Sequence, residues 1–331
     1  MLILSPHNPF LRSSGGENRI YLIMRALAKQ NRIILFCPRG KTEMLPNVDV
    51  YQEFEDKAQN KFLNLAVARK LKDLIKKENP EEIQLEFPWQ AANLWLIGQK
   101  YNLVAHNVEF IRFKRVKSVL WPIIFLYELV ACHLANKVIC VSDKDKKFFV
   151  RYLKISPSKI EVVENPVDTT VFFENNSIKD KIRIELGIRE AEIFVLFFGQ
   201  LDYAPNVEAL LNIKKEIIPR LDQKKCDSQI GYKLVVCGKG DGRGLLASYK
   251  HKNLIFLGFV ENIQDYINAS DVIIVPLDSG SGTRIKILEA LACKKRVVST
   301  SVGAEGISEN QLLDIEDDWD NFVNKMVAPK R

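Results

Sequence analysis

The 331-residue chain is poor in the residues and spacings that mark several common chemistries. Its six cysteines, Cys37, Cys132, Cys140, Cys226, Cys237 and Cys293, stand alone. Without a C-x-x-C pair, neither a zinc knuckle nor a thioredoxin-type centre has its spacing. Cys37, Cys140 and Cys237 fall in or at the end of strand-like runs, which predicts buried, reduced thiols and fits a reducing cytosol. The four histidines, His7, His106, His133 and His251, form no metal-ligand pattern, and H-E-x-x-H and G-x-S-x-G are both missing. No apolar run reaches the roughly 18 residues of a membrane span, since Pro122, Glu128 and His133 interrupt the best candidate, "VLWPIIFLYELVACHLA". The opening "MLILSPHNPF" has no basic lead, which argues against a signal peptide. The net charge of +7 is spread over scattered lysine pairs. That suits an anionic ligand or membrane surface better than nucleic acid, which calls for a concentrated basic stripe.

What is present is an alternation of strand-like and helix-like segments. Strands are expected at 2–5, 32–37, 82–87, 102–107 and 137–142, with amphipathic helices between them, among them "FLNLAVARKLKDLIKKEN". The rhythm restarts with "KIEVVEN" (159–165) and runs through "EIFVLFFGQ", "YKLVVCGKG", "NLIFLGFV", "DVIIVPL" and "RVVSTS". Near-continuous apolar strands alternating with helices predict parallel sheets covered on both faces. The length favours two domains, with a boundary at 168/169 and a cleft between two α/β halves. Ligands in such sheets sit beyond the carboxyl ends of the strands.

Four loops lie where ligands would sit. "SGSGTRIKILEALACKKRVV" (279–298) leads from a strand through Gly280 and Gly282 into a helix starting near Thr283. Free amides at that helix start, with Arg284 and Lys286, form a candidate phosphate site, and Glu289 is placed to accept sugar hydroxyls. By local spacing alone it reads equally as a helix capped by Thr283 with solvated charges. "SSGGEN" (13–18) brings Gly15 and Gly16 to an anion or a hydroxyl-rich ligand, or is a tight turn. It lacks the dinucleotide fingerprint, and "GKT" at 40–42 lacks the P-loop glycine, Leu35 standing in its place. "AHNVEF" puts His106 and Asn107 at a strand end, for function or for structure. "FFGQLDYAPNVEALL" places Gly199 after an apolar strand, and "CGKG" repeats that arrangement with Gly238. Two D-x-D triplets, 143–145 and 318–320, are candidate metal ligands, but Ser142 and Asp145 make the first a helix-capping box.

In order and spacing, "GG" at 15–16, "HNVE" at 106–109, "VVENPVDTTVF" at 162–172, "FFGQLDYAPNVEAL" at 197–210, "LGFVENIQDYINASDVIIVPL" at 257–277 and "GSGTRIKILEALACKKRVVSTSVGAEGI" at 280–307 resemble the GT-B retaining glycosyltransferases of family four. The resemblance implies two Rossmann-like doubly wound domains facing a cleft. Residues 1–168 would bind the acceptor and residues 169–331 the nucleotide-sugar donor. It implies transfer of a sugar from a nucleotide-diphosphate donor to a hydroxyl of a glycan or lipid-linked acceptor, with retention and without metal or other cofactor. His106 would lie beside the reacting sugar, as the catalytic residue. Gly199, Gly238, Gly282, Thr283, Arg284, Lys286 and Glu289 would line the donor site, with Glu289 on the ribose. Gly15, Gly16 and Asn107 would border acceptor and diphosphate. The family's other donor-site glutamate would fall at Ser281, and its usual basic pair after Gly199 is replaced by "QLDYAPN", leaving Arg284, Lys286 and the 282–284 amides as the substitutes.

The resemblance places the chain in the cytoplasm, as part of polysaccharide or glycolipid synthesis. The basic and aromatic segment 110–130, with Arg112, Lys114, Arg115 and Lys117, is either a membrane-resting surface on the inner face or an ordinary helix pair. Two other readings share the fold: a nucleotide-sugar 2-epimerase and a non-catalytic sugar-nucleotide-binding protein. The tail after Ile307 is expected to be short for the closing crossover helix of such chains.

Overall fold

The computed structural model describes the chain except residues 13–14, 56–61, 229–230, 243, 246–248, 281 and 330–331, and the side chains of 225–228. It divides into two compact units, Met1–Pro166 and Val167–Arg331. In the first, the described residues form a seven-stranded parallel sheet in the order β3-β2-β1-β4-β5-β6-β7. Its strands are β1 (Leu2–Leu4), β2 (Ile33–Pro38), β3 (Val48–Phe54), β4 (Ile83–Glu86), β5 (Asn102–Ala105), β6 (Val138–Cys140) and β7 (Ile160–Val162). In the second, six strands run in the order β10-β9-β8-β11-β12-β13. They are β8 (Glu192–Phe198), β9 (Gly231–Cys237), β10 (Leu254–Gly258), β11 (Val272–Val275), β12 (Arg296–Ser299) and β13 (Leu313–Ile315). Each unit has its own apolar core. The runs β2, β4, β9 and β11 are buried nearly throughout, as double-sided burial of a parallel sheet requires.

Strand order reverses between β1 and β4 in one sheet and between β8 and β11 in the other. Loops that leave adjacent strands toward opposite sides open a crevice at the carboxyl edge, the usual ligand position in such sheets. The connection after β1 leads to Gly15 at the start of the first helix, and the one after β4 carries Phe87. Those after β8 and β11 carry Gly199 and the 276–284 segment.

The structure revises several sequence expectations. The strand expected at 159–165 is the shorter β7, Ile160–Val162, which pairs with β6 at the edge of the first sheet. The first helix begins at Gly15, so Gly15 and Gly16 form its opening turn and not a preceding loop, while Ser13 and Ser14 lie outside the described residues. In "FLNLAVARKLKDLIKKEN" the helix spans Leu65–Glu78, capped by Asn64, and buries Val67, Ala68, Leu71 and Leu74; Leu65 is exposed. The run "NVEALLNIKKEIIPRL" (206–221), whose pattern predicts one continuous helix, is helix Ala204–Asn212, a π turn at Ile213–Ile217 and helix Ile218–Ser228. Ser142 accepts from the Asp145 amide at 3.1 Å, so the first D-x-D triplet starts helix Asp143–Leu153. In the second triplet Asp318 caps helix Trp319–Val327, and Asp320 pairs with Arg220.

Candidate functional site

In the second unit the site is assembled by two neighbouring strand ends. After β8 the chain turns at Gly199 (φ +150°) and enters helix Ala204–Asn212, whose Pro205 supplies the fixed φ of a first helical turn. Asn206 is buried there. Its Nδ2 donates to the Gln200 carbonyl at 2.8 Å, locking the turn, and its Oδ1 accepts from Lys286 Nζ at 3.1 Å. Lys286 arrives from the other strand end, on helix Ile285–Ala292. Its ammonium lies 4.9 Å from the centre of the Phe197 ring. A Cβ on Gly199 would stand 2.8 Å from Nζ, so only glycine leaves room for the lysine head.

Burial pushes the Lys286 ammonium down to about 7, helped by the nearby Arg284 charge and opposed by Glu289. Burial also raises the Glu289 carboxyl to about 7, against the pull of Lys286. Among the described residues no side chain hydrogen-bonds the half-buried Glu289 carboxylate. Two ionisable groups thus face each other's field in a weakly solvated place with few internal partners. Such groups are suited to binding outside ones.

The helix starts later than expected. Thr283 is not its N-cap: Arg284 holds that position with no side-chain capping bond, so the free first-turn amides begin at Ile285 and not at 282. The Thr283 hydroxyl is buried and has no hydrogen-bond partner among the described residues. Arg284 folds back over its own loop, donating to the Gly282 carbonyl at 2.6 Å, and Gly280 (φ +108°) makes room for its guanidinium. Gly282 is also left-handed, at φ +80°. Ser281 lies outside the described residues. The amides of Gly199 and Gly238 are already bonded, to the Cys237 and Gly258 carbonyls at 3.1 and 2.7 Å. These two glycines therefore contribute close approach of bare backbone instead of free N–H groups. A side chain on Gly238 would overlap the Gly199 carbonyl.

In the first unit His106 follows β5 and is buried. Its Nε2 lies 2.6 Å from Glu86 Oε2, at the end of β4, and its ring stacks on Phe87 at 4.0 Å and 10°. Gly16 packs on the same pair: a Cβ there would stand 3.0 Å from Phe87 Cζ and 3.8 Å from His106 Nδ1. Asn107 is half-buried and donates to Glu109 Oε1 at 3.3 Å. Glu109 begins helix Glu109–Arg115, and its carboxyl, raised mainly by burial, also accepts from Arg112. The start of that helix is capped from outside. Glu128, on helix Trp121–Leu134, accepts from the Glu109 and Phe110 amides at 3.0 and 2.9 Å. Burial, and then Glu109, push the Glu128 carboxyl up to about 8.

The structure thus joins Gly199, Lys286, Arg284 and Glu289 in one unit, and Gly16, His106 and Asn107 in the other. Sequence reasoning missed Asn206, Glu86 and Phe87. "APN" at a helix start was the available signal for Asn206. Glu86 and Phe87 end a strand, and the chain pattern alone does not say that their side chains turn toward His106.

Two doubly wound units in tandem, each with polar residues at its strand-order reversal, define the GT-B class of fold. Two family models match: "Glycosyltransferase Family 4" over residues 13–171 and "Glycosyl transferases group 1" over residues 192–328. The chain belongs to these group 1 glycosyltransferases. It is 29% identical to an uncharacterized glycosyltransferase of Methanocaldococcus jannaschii, over 53% of this chain and 45% of the relative. It is 26% identical to the Escherichia coli UDP-Gal:alpha-D-GlcNAc-diphosphoundecaprenol alpha-1,3-galactosyltransferase, over 68% of this chain and 59% of the relative. The chain therefore spans about half the length of these curated relatives. Among solved structures, sucrose-phosphate synthase of Thermosynechococcus elongatus superposes with a TM-score of 0.76 at 16% identity, covering 98% of this chain and 88% of that one. Anabaena HepE in complex with UDP does so with a TM-score of 0.72 at 16% identity, over the same shares.

Proposed function

We propose that the chain is a retaining glycosyltransferase that moves a hexosyl group from a nucleotide-diphosphate donor to a hydroxyl of a glycan or lipid-linked acceptor. The observation that carries this reading is the Lys286–Asn206 contact beside the unbonded Glu289 carboxylate. A buried ammonium with one neutral acceptor gains most from a diphosphate, and an open carboxylate gains most from the two hydroxyls of a ribose. Structures of HepE with UDP and with UDP-glucose support a nucleotide-sugar ligand for this fold. The similarity to the E. coli galactosyltransferase that acts on a diphosphoundecaprenol-linked sugar supports a lipid-linked acceptor.

In the proposed reaction the anomeric C–O bond to the diphosphate breaks, and the acceptor oxygen bonds that carbon on the same face. The acceptor proton passes to the departing diphosphate. Lys286, Arg284 and the Ile285 and Lys286 amides would stabilise the leaving charge, without a metal. In the second unit Glu289 would hold the ribose; in the first, His106, Asn107 and the Gly15–Gly16 turn are that unit's own candidates for contact with sugar hydroxyls. The test is turnover: incubation with a panel of nucleotide sugars and a lipid-linked acceptor should release one nucleoside diphosphate, and Lys286→Ala should abolish that release.

We further propose that the enzyme works at the inner face of a membrane. No helix among the described residues is long and apolar enough to cross one. The surface of the 110–130 segment differs from its sequence expectation: Phe110 is buried, Phe113 and Phe125 are half-buried, and the exposed face is mainly aliphatic. Val119, Ile123 and Leu126 are 88, 64 and 59% exposed, and Val130 and Leu134 continue the stripe along helix Trp121–Leu134. Lys114, Arg115 and Lys117 are exposed at its start, with the Lys114 ammonium 5.2 Å from the Trp121 ring centre. An apolar helical stripe with basic residues at one end suits the interface of an anionic bilayer.

A further inference from the structure

Glu86 closes β4 with its carboxylate almost sealed from water, its side chain 2% exposed against 4% for His106. A carboxylate 2.6 Å from imidazole Nε2 takes that nitrogen's proton into its hydrogen bond. The second oxygen of Glu86 accepts from Gln84 Nε2 at 2.6 Å. The Arg19 guanidinium, buried and bonded to Asn165 Oδ1 and the Val163 carbonyl, adds a positive field that acts on Glu86. The carboxylate is therefore held by a hydrogen bond from its own strand and lies in the field of a cation on the first helix, itself anchored at the end of the sheet.

The plane of the imidazole is set separately. Phe87 lies flat on it, and Phe87 itself holds φ +64°, on the side of the map that side chains other than glycine's avoid. Strain at a residue whose ring clamps a histidine is the kind of feature that collects at functional sites. The free edge of the imidazole, Nδ1, has no partner among the described residues. It faces the first turn of helix Gly15–Leu27, where Gly16 leaves bare backbone.

We infer that Glu86 and Phe87 are positioning residues for His106: Glu86 fixes the Nε2–H tautomer, Phe87 fixes the ring plane, and together they present Nδ1 as a lone-pair acceptor for a sugar hydroxyl above Gly16. An unprotonated nitrogen accepts an O–H and offers nothing to a phosphate oxygen. The tautomer follows from the geometry alone. Only the identity of the hydroxyl rests on the glycosyl-transfer reading.

The experiment is a long-range proton–nitrogen NMR spectrum of the imidazoles in the ligand-free full chain. His106 is assigned by its loss in His106→Gln or, should that variant not fold, by substituting His7, His133 and His251 in turn. The expected wild-type signature is a proton on Nε2 and a bare Nδ1. Glu86→Gln is expected to mix the tautomers and to lower kcat/KM by roughly 10- to 100-fold, the loss of one charge-assisted hydrogen bond. Glu86→Asp should recover part of both. A wild-type His106 protonated on Nδ1 overturns the inference, whatever the Glu86 variants do. So does a Glu86→Gln protein whose tautomer or turnover equals the wild type's. If the wild-type tautomer is as expected but no nucleotide sugar is turned over, the glycosyl-transfer reading fails and the identity of the hydroxyl with it, while the Glu86–His106 relationship stands.

Discussion

Lys286 Nζ and Asn206 Oδ1, 80 positions apart in the chain, meet at 3.1 Å across the strand-order reversal of the second sheet. That contact joins the turn after β8 to the helix after β11. It holds a cation that burial has made easy to discharge, its pKa lowered to about 7. An arriving diphosphate should return that group to its charged form.

Nucleotide-diphosphate binding should therefore weaken as pH rises. Below pH 7 Lys286 is charged and ready; between pH 7 and 9 each binding event must take up a proton. By titration calorimetry the affinity should fall several-fold over that interval, with proton uptake visible in the buffer dependence of the heat. Lys286→Met should bind at least about 10-fold more weakly at pH 7, the loss of one charge-assisted contact, and show little pH slope. Asn206→Ala should give a smaller loss.

Glu289→Gln should trade function for stability. The folded-state pKa of Glu289 is raised to about 7, so ionisation opposes folding fully above pH 7 and not at all below its ordinary value of 4.5. The variant should be more stable than the wild type at pH 8, by an amount on the order of 1–2 kcal/mol. That advantage should vanish as pH falls through 7 toward 4.5. Thermal unfolding at three pH values checks this, and an advantage that grows toward low pH would contradict it.

Two glycines of positive φ should respond differently to alanine. At Gly238 (φ +148°) the new methyl would overlap the Gly199 carbonyl, so the variant should lose roughly 3 kcal/mol or more, or fail to fold. At Gly98 (φ +70°) nothing lies within 4 Å of the new methyl, and the cost should be backbone strain alone, about 1 kcal/mol. Denaturant midpoints of the two variants give the comparison.

Vesicle co-sedimentation tests the aliphatic stripe. The full chain should sediment with vesicles containing anionic lipid and much less with neutral ones. Ile123→Ser with Leu126→Ser should weaken binding about 10-fold, from the apolar area withdrawn from the bilayer. Equal and negligible sedimentation with both lipids would remove the membrane from the account.

The helices and interior strands were legible because their patterns are strong. β8 and β9 are long β-branched or aromatic runs, and burial on both faces leaves no alternative reading. The edge strands β3 and β13 were not. Val48–Phe54 is half-buried along most of its length and mixes Asp49, Gln52 and Glu53 into its apolar residues, while Leu313–Ile315 is only three residues long. β7 was legible as a strand ahead of the 168/169 boundary, but its pairing with β6 was not, because a parallel edge is set by pairing and not by composition. At the site, the glycines and the charged helix start could be read from spacing. Asn206, Glu86 and Phe87 could not, since their contacts depend on which strands become neighbours. The start of helix Ile285–Ala292 was placed early because Thr283 is a good capping residue, yet its hydroxyl caps nothing.

The most direct measurement is a thermal-shift panel of UDP, GDP, ADP, CMP and inorganic phosphate on the wild type and on Glu289→Ala. A ligand present at about 100 times its dissociation constant stabilises by roughly 2.7 kcal/mol. The account predicts that one nucleoside diphosphate shifts the wild type, that phosphate alone does not match it, and that the shift is largely lost in Glu289→Ala. Equal shifts in both proteins, or none with any nucleotide, would contradict a donor site built on Lys286 and Glu289.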